Sequence, residues 1–276
     1  MSGFIEMMIL PVVMAIVLVA MHSHLGFHVV KRGVIFVDIA LAQVAAFGVA
    51  VSLLLGNEPG SGMTYIIALG STFLGALLIS TTRTRNQRVP QEAYIGVIYV
   101  VFSAAMILVL TQVSHGGEVI NHLLVGSLLW VSWATFWKTT ILYSALGVLL
   151  WLWRGPLRRI STDPEGAQKD GLAVRLWDVV FYMILGTVVT FSVQIAGVLM
   201  VFTLLVVPTV MGIRLFEGLG KQMIYTLAIG IVAVLAGSAA SYILDLPTGA
   251  AIVCAFGLLL GIQVMVENAQ GETGNN

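Results

Sequence analysis

The chain has 276 residues, of which 59% are hydrophobic and only 9% are charged, and its mean hydropathy is +1.01. Soluble domains carry about 25% charged residues, so the composition excludes a soluble enzyme and a nucleic-acid-binding protein and indicates a protein embedded in a lipid bilayer. The 13 basic and 13 acidic residues balance, so net charge indicates no partner, and the single cysteine, Cys254, excludes an intramolecular disulfide framework.

Eight apolar runs follow one another along the chain. They lie at roughly 4–22, 34–55, 63–81, 94–113, 122–153, 177–213, 222–243 and 247–266. The first run contains Glu6 and lacks a basic leading segment, so we predict a retained membrane helix and not a cleaved signal peptide. The runs are continuously apolar and do not alternate at every second residue, which favours an all-α membrane helix bundle over a membrane barrel.

The placement of Lys and Arg predicts the membrane topology. Basic residues concentrate in four loops, at 31–32, 83–88, 154–175 and 214–221. The loops at 56–62, 114–121 and 244–246 hold none. The positive-inside rule places the four basic loops in the cytoplasm and the other three outside. The N-terminus is then outside and the C-terminus is cytoplasmic.

Two runs are too long for one ordinary crossing of about 17–25 residues. Run 122–153 starts outside and ends inside, so we predict one crossing preceded by a short helical or re-entrant piece near 122–133. Run 177–213 starts and ends inside, so it must turn back, with the turn near 194–197. Its halves of about 16–18 residues are short for full spans. The prediction is therefore nine crossings, or eight if this hairpin is re-entrant.

The longest loop, 154–176, contains its own helix signals. Asp163 suits an N-cap, Pro164 suits the first helical residue, and Gly171 suits a C-terminal stop. We therefore predict a short cytoplasmic helix within 161–171. An ordinary solvated loop and a docking helix for a cytoplasmic partner are both compatible with this pattern.

Several stretches between residues 22 and 262 resemble the permease subunits of bacterial ABC-type importers for zinc, manganese and iron. Residues 91–97 resemble that family's Glu-Asp-x-Ala-Ile-Gly-Ile, and residues 194–208 resemble its Gln-Ala-Val-Gly-Val-Leu and Leu-Leu-Val-Ile-Pro segments. Residues 246–253 resemble its Leu-Pro-x-Gly-x-x-Ile-Val, and residues 25–43 fall where it has a basic turn and an Asp-Ala-Leu-Ser-His helix. The ordered set is specific, whereas one piece alone is weak.

The resemblance implies a homodimer in the bacterial inner membrane, in contact with lipid, with a cytoplasmic ATPase subunit and a periplasmic or lipid-anchored substrate-binding protein. It makes the segment 161–171 a coupling helix for the ATPase. The residues of that helix are Asp163, Pro164, Glu165, Gly166, Ala167 and Gly171. The chain is predicted to be neither an enzyme nor a cofactor-binding protein. Its residues 218–221 (GLGK) lack the rest of a P-loop, so ATP would be hydrolysed by the partner, with a divalent metal as cargo.

Size predicts one transmembrane permease domain over residues 1–266, and composition predicts a disordered polar tail over 267–276. The hairpin supplies the predicted gate. Gln194 and Gly197 lie at its turn, and Pro208 should kink or end the second half because it removes a backbone donor. That kink suits either a gate or plain packing.

The predicted metal path departs from the family pattern in the second apolar run. Without gaps, the family's Asp and His fall on Ile39 and Gln43, and Asp38 lies one residue earlier, about 100° around a helix. An amide is a poorer zinc ligand than an imidazole, so the identity of the metal stays open. Asp38 and Gln43 are the predicted path residues. The alternative for Asp38 is an interfacial acid paired with Arg32 or another basic residue. The alternative for Gln43 is a hydrogen bond between helices.

Histidines form further candidate ligands. His24 and His28 share a helical face at the predicted cytoplasmic end, whereas His22 and His24 do not. Interfacial histidines without metal are the alternative. Three more candidates flank an outer loop, as receivers of metal or as plain surface residues: His115, Glu118 and His122.

The leading hypothesis is a permease subunit that imports a divalent transition metal or its chelate by alternating access, driven by a separate ATPase. The alternatives are a stand-alone secondary transporter, in which Asp38 is a proton- or ion-linked carboxylate, and a non-transporting scaffold. Dependence of transport on the ATPase separates the first two hypotheses.

Overall fold

The computed structural model describes residues 2–83 and 89–273, and within these ranges all regular structure is helical. Arg85 and Arg88 of the second basic loop lie outside the described residues. The helices run in chain order as α1 (Ser2–Lys31), α2 (Val37–Leu54), α3 (Gly62–Thr81), α4 (Gln91–Leu110), α5 (Gly116–Val125), α6 (Trp133–Leu152), α7 (Arg154–Thr162), α8 (Pro164–Lys169), α9 (Val174–Leu215), α10 (Leu219–Leu244) and α11 (Thr248–Thr273), with a 3₁₀ turn at Leu128–Trp130.

Eight helices are long and apolar enough to cross a membrane, which confirms the predicted all-α bundle. They are α1, α2, α3, α4, α6, α9, α10 and α11. In α2 and α9, 72% of the most apolar window is buried inside the protein, against 22% in α4, α6 and α11. The core therefore sits around α2 and α9, and the other three helices present most of their apolar surface outward, as lipid-facing helices do.

The longest helix, α9, is a hairpin. Its 42 residues would extend about 63 Å if straight, about twice the thickness of a bilayer core. Gly197 interrupts it with φ 77° and ψ 159°. Arg32, just after α1, binds Asp178 in the first arm, and Gly26 of α1 packs against Leu205 in the second. Both arms thus reach the same end of α1, which places the reversal at the predicted turn.

The first arm of the hairpin is longer than the sequence suggested, and the second arm has the predicted length. Residues 174–196 and 198–215 extend about 35 Å and 27 Å at 1.5 Å per residue. Both lengths are sufficient for a full crossing, and the count of nine crossings stays a prediction. The first arm is longer because α9 begins at Val174, before the apolar run. Pro208 does not end the second arm, which continues to Leu215.

The turn of the hairpin is packed against the segment before α6. The amide of Ser127 donates to the carbonyl of Ile195 at 3.1 Å. A Cβ atom at Gly197 would lie 2.5 Å from the amide nitrogen of Gly126. Only glycine fits here, because the site needs both a positive φ and no side chain. The short piece predicted near 122–133 is α5 and the 3₁₀ turn, and α5 begins earlier than expected, at Gly116.

Described basic residues from different loops lie at one end of the bundle. Arg32 and Arg83 both pair with Asp178, and Arg214 pairs with Glu267 near the end of α11. The end of α11 is therefore on the basic side, and α1 starts on the opposite side. This arrangement follows the predicted grouping, while the orientation relative to the cytoplasm stays a prediction.

The polar tail differs from its prediction. Helix α11 continues to Thr273 instead of ending near residue 266. Glu267 accepts hydrogen bonds from Arg214 at 2.6 Å and from Gln263 at 2.7 Å, which hold the extra turns of helix in place. Residues 274–276 lie outside the described residues.

Candidate functional site

The two predicted path residues lie on α2, at the centre of the bundle. Asp38 is 1% exposed and Gln43 is 3% exposed. Among the described residues, the two carboxylate oxygens of Asp38 have no hydrogen-bond partner. The amide oxygen of Gln43 has none there either. Buried acceptors without donors are rare and costly. These oxygens are therefore suited to a cation, or to a proton in the case of Asp38.

Asp38 and Gln43 leave α2 in different directions. Five residues along an α-helix correspond to a rotation of about 140°. Gln43 lies one turn before Phe47, whose ring packs at 5.4 Å from Phe102 of α4. Leu41, three residues after Asp38, approaches Gly186 of α9. The two side chains therefore cannot hold one ion together on a straight α2.

The inner histidines take part in helix packing. The rings of His24 and His28 lie 5.6 Å apart, as expected for residues on one helical face. His28 Nδ1 hydrogen-bonds the hydroxyl of Ser161 at 2.9 Å, and the buried His22 bonds the carbonyl of Leu18 at 2.8 Å. Among the described residues, no group of three or more His, Cys, Asp or Glu could hold a metal ion. Metal binding by His24 and His28 stays a prediction.

A buried ionic cluster at the basic end was not anticipated. Asp178 of α9 is 1% exposed and pairs with Arg32 at 2.5 Å and also with Arg83. Arg32 Nε donates to Ser161 of α7 at 2.9 Å, and its guanidinium lies 4.2 Å from the centre of the Phe181 ring. Burial lowers the pKa of the Arg32 guanidinium, and the Asp178 carboxylate opposes this shift. The cluster ties α1, α7 and α9 together.

Sequence reasoning missed Asp178, although a signal was present. The residue is an acid inside the apolar run 177–213, and intramembrane acids usually have a partner. The sequence alone allows Arg32 to pair with Asp38 instead. Its guanidinium goes to Asp178, which leaves the carboxylate of Asp38 without a counter-ion from that residue.

The predicted cytoplasmic helix forms, with different bounds. The helical conformation is interrupted at Asp163. Ser161 and Thr162 are therefore the last residues of α7, and the following helix, α8, contains only Pro164–Lys169. Asp163 is the N-cap, since its carboxylate accepts the Gly166 amide at 2.9 Å. Gly171 follows with φ 82°. The capping residues were therefore identified correctly, whereas the length of the helix was overestimated.

The charges around α8 hold it against α7. Arg159 lies 2.8 Å from both Asp163 and Asp170. The Gly166 amide, followed by Arg159, lowers the pKa of the Asp163 carboxyl. Ala167 is buried beneath α8, and Glu165 is exposed. A groove of about 780 Å³ runs beside α8, with Glu165, Arg83 and Arg175 among its lining residues.

The opposite end of the bundle contains a cavity of about 360 Å³. Glu118 and His122 of α5 line it, together with Tyr65 and Gln194. His115 is not among its lining residues. Pro208, the other predicted gate residue, lies elsewhere, and its carbonyl accepts a hydrogen bond from Thr226 at 3.1 Å. Gln194 and Gly197 thus lie near one another at the hairpin turn, away from Pro208.

Comparison with known proteins identifies similar membrane proteins. The model of the ABC 3 transport family matches residues 4–267. The manganese transport system membrane protein MntC of Halalkalibacterium halodurans is 24% identical over 247 residues, covering 90% of this chain and 82% of that protein. MntC of Listeria monocytogenes is 26% identical over 248 residues, covering 90% and 86%.

A solved structure shows the same fold. It is PsaBC from Streptococcus pneumoniae in complex with Fab, which superposes with a TM-score of 0.80 at 21% sequence identity. The match covers 95% of this chain and 94% of that one.

Proposed function

The chain belongs to the ABC 3 transport family, and from that premise we propose that it is the membrane-spanning subunit of an ATP-driven importer for a divalent transition metal ion. The observation that carries this proposal is Asp38, a carboxylate buried in the central helix with no donor to either oxygen among the described residues. A cation passing this point would satisfy the oxygens. An importer that alternates between outward- and inward-open states would need a group on its path that can accept the cation.

The chemistry of α2 supports manganese as the first cargo to test. Asp38 and Gln43 offer oxygen ligands, and Mn²⁺ accepts carboxylate and carbonyl oxygens, whereas zinc is held best by sulfur and imidazole nitrogen. Two similar proteins are named as manganese transport membrane proteins. Iron, zinc and metal chelates are the other cargoes to include.

We propose that α8 contacts the partner ATPase, as a coupling helix would. It sits at the basic end, is capped independently of the spans by Asp163, and leaves Glu165 exposed. A push on α8 would reach the spans through Ser161, which hydrogen-bonds Arg32, and through Asp178, which Arg32 binds. The proposed assembly is a homodimer with an ATPase below and a substrate-binding protein above.

Uptake of metal into proteoliposomes tests the function. The chain would be reconstituted with the ATPase and binding protein of the same organism, and Mn, Fe, Zn, Co, Ni and Cu would be offered separately. We expect ATP-dependent accumulation of manganese. Asp38→Asn should lower it by about tenfold or more, since losing even an outer-shell partner of a metal costs that much. ATP hydrolysis by the complex should persist.

Asp245→Asn is the matched control, because it makes the same chemical change at an exposed loop residue whose φ of 51° asparagine tolerates. Equal uptake by the Asp38 and Asp245 variants would remove Asp38 from the path. Metal flux through the chain alone, without ATP, would refute the importer and favour the secondary transporter.

A further inference from the structure

The cavity at the end opposite the basic loops is built from five segments of the chain. Two walls come from the α2–α3 hairpin, that is, from the end of α2 and from the start of α3 with Tyr65. The others come from the loop with Pro59, from α5, and from the hairpin turn of α9. Its lining contains no Lys or Arg among the residues that the structure describes. Glu118 therefore gives the cavity an acidic character, on the side where the topology predicts that cargo arrives.

Glu118 and His122 are spaced to act together. They are four residues apart on α5, so their side chains lie on one helical face, and both face the cavity. Gln194 lines the same cavity, and its amide nitrogen donates to the Thr190 carbonyl at 3.3 Å, so that its amide oxygen is the group left to accept. The cavity thus offers a carboxylate, an imidazole and an amide oxygen.

One lining residue of the cavity, Tyr65, belongs to an aromatic pair. The ring of Tyr65 stacks on Phe191 at 4.9 Å between centroids, with an angle of 20° between the planes. Phe191 lies one turn before Gln194 on the first arm of α9, deeper in the bundle. The cavity therefore combines the candidate ligands on α5 and α9 with an aromatic side chain on α3.

The volume fits a hydrated ion. Each water occupies about 30 Å³ in the liquid, so six waters need about 180 Å³, roughly half of the cavity of about 360 Å³. An ion can therefore enter with its water and exchange part of it for protein ligands. Few ligands make a weak site, and a weak site releases the ion, which transport requires.

We propose that Glu118 and His122, with the Gln194 amide oxygen, form a reception site that holds a hydrated divalent transition metal ion before it enters the membrane path. The proposal rests on the proposed function, because only a metal permease has this cargo to receive. The site is separate from Asp38, which lies in the first turn of α2, whereas the cavity is lined from the last turns of α2, at Val49 and Leu53.

Binding of Mn²⁺ to the purified full-length chain tests the site without the ATPase. The electron paramagnetic resonance signal of free aqueous Mn²⁺ falls as the ion binds, so a titration gives the number and affinity of sites. The double variant Glu118→Gln/His122→Asn should bind Mn²⁺ at the reception site at least about tenfold more weakly than the unaltered chain. Asp38→Asn should retain this site. Both outer residues are exposed, so the variants should keep the unfolding temperature of the unaltered chain.

Asp245→Asn is the matched control, because it removes an exposed carboxylate that does not line the cavity. Its φ of 51° is one that asparagine adopts. His115 does not serve as a control, because its ring nitrogen lies 3.8 Å from the Glu118 carboxylate. We expect unchanged binding in Asp245→Asn. Equal binding by the double variant and the unaltered chain would overturn the proposal, as would an equal loss in Asp245→Asn. Binding of Mn²⁺ at the reception site without ATP-driven uptake by the assembled complex would instead refute the importer function and still support the reception site.

Discussion

Removing Asp178 should destabilise the protein more than removing any exposed charge at the same end. Asp178 is 1% exposed and binds Arg32, which is 2% exposed, together with Arg83, which is 30% exposed. Asp178→Ala would leave the Arg32 guanidinium buried without a counter-ion. Breaking a buried pair in this way costs about 3–5 kcal/mol.

The lower part of that range applies here. Arg83 can turn to water, because nearly a third of it is already exposed. Arg32 keeps its hydrogen bond to Ser161 and its contact with the Phe181 ring. We therefore expect a loss of about 3 kcal/mol of unfolding free energy, or an unfolding temperature lower by about 6–12 °C, at 2–4 °C per kcal/mol for a domain of comparable size.

Thermal unfolding of the purified chain in detergent, followed by tryptophan fluorescence, measures this change. Trp177 is the neighbour of Asp178 and reports on the site. Arg159→Ala is the control, because Arg159 forms two ion pairs at exposed positions and should leave the unfolding temperature nearly unchanged. Equal unfolding temperatures for Asp178→Ala and Arg159→Ala would show that the Asp178 ion pairs do not stabilise the protein more than the exposed pairs of Arg159.

Two further changes test the turns. Gly197→Ala should cost about 2 kcal/mol or more in unfolding free energy, because alanine pays for a positive φ and its Cβ would lie 2.5 Å from the Gly126 nitrogen; Gly257→Ala, with open space around it, should be neutral or stabilising in the same thermal assay. The Asp163 cap should fail in acid. Its pKa is lowered in the folded chain, so its stabilisation is complete above the unfolded pKa of about 3.9 and disappears as pH falls through the lower folded value. Hydrogen exchange at the Gly166 amide should then accelerate, whereas Asp163→Asn should show no such acid step.

The sequence predicted features that depend on local signals or on the order of charged loops. The apolar runs predicted the spans, the basic loops at both ends of run 177–213 required a reversal, and the turn fell at Gly197 as expected. The cap at Asp163 and the stop at Gly171 follow from residue types a few positions apart. Such features need no knowledge of distant contacts.

The sequence could not predict contacts between distant segments. Asp178 meets Arg32 and Arg83 across 146 and 95 residues of chain, and periodicity indicates nothing about such pairings. Gln194 joins Glu118 and His122 only because the hairpin turn packs beside α5. The lack of a donor for Asp38 is likewise a property of all the helices around it. The apolar run also predicted too early an end for α11, because the helix continues past Glu267, which is held by an ion pair with Arg214.

Three glycines give the end opposite the basic loops a particular mechanical character. Gly126, Gly197 and Gly249 bring the end of α5, the reversal of α9 and the start of α11 into direct backbone contact; an added Cβ at Gly249 would lie 2.8 Å from the Val125 carbonyl oxygen. A joint made of main chain has no side chains whose rotamers can absorb displacement. The segment with Glu118 and the segment with Gln194 are therefore held in a fixed relative position. A conformational change must move these segments together as a rigid body, with the bending confined to other parts of the helices.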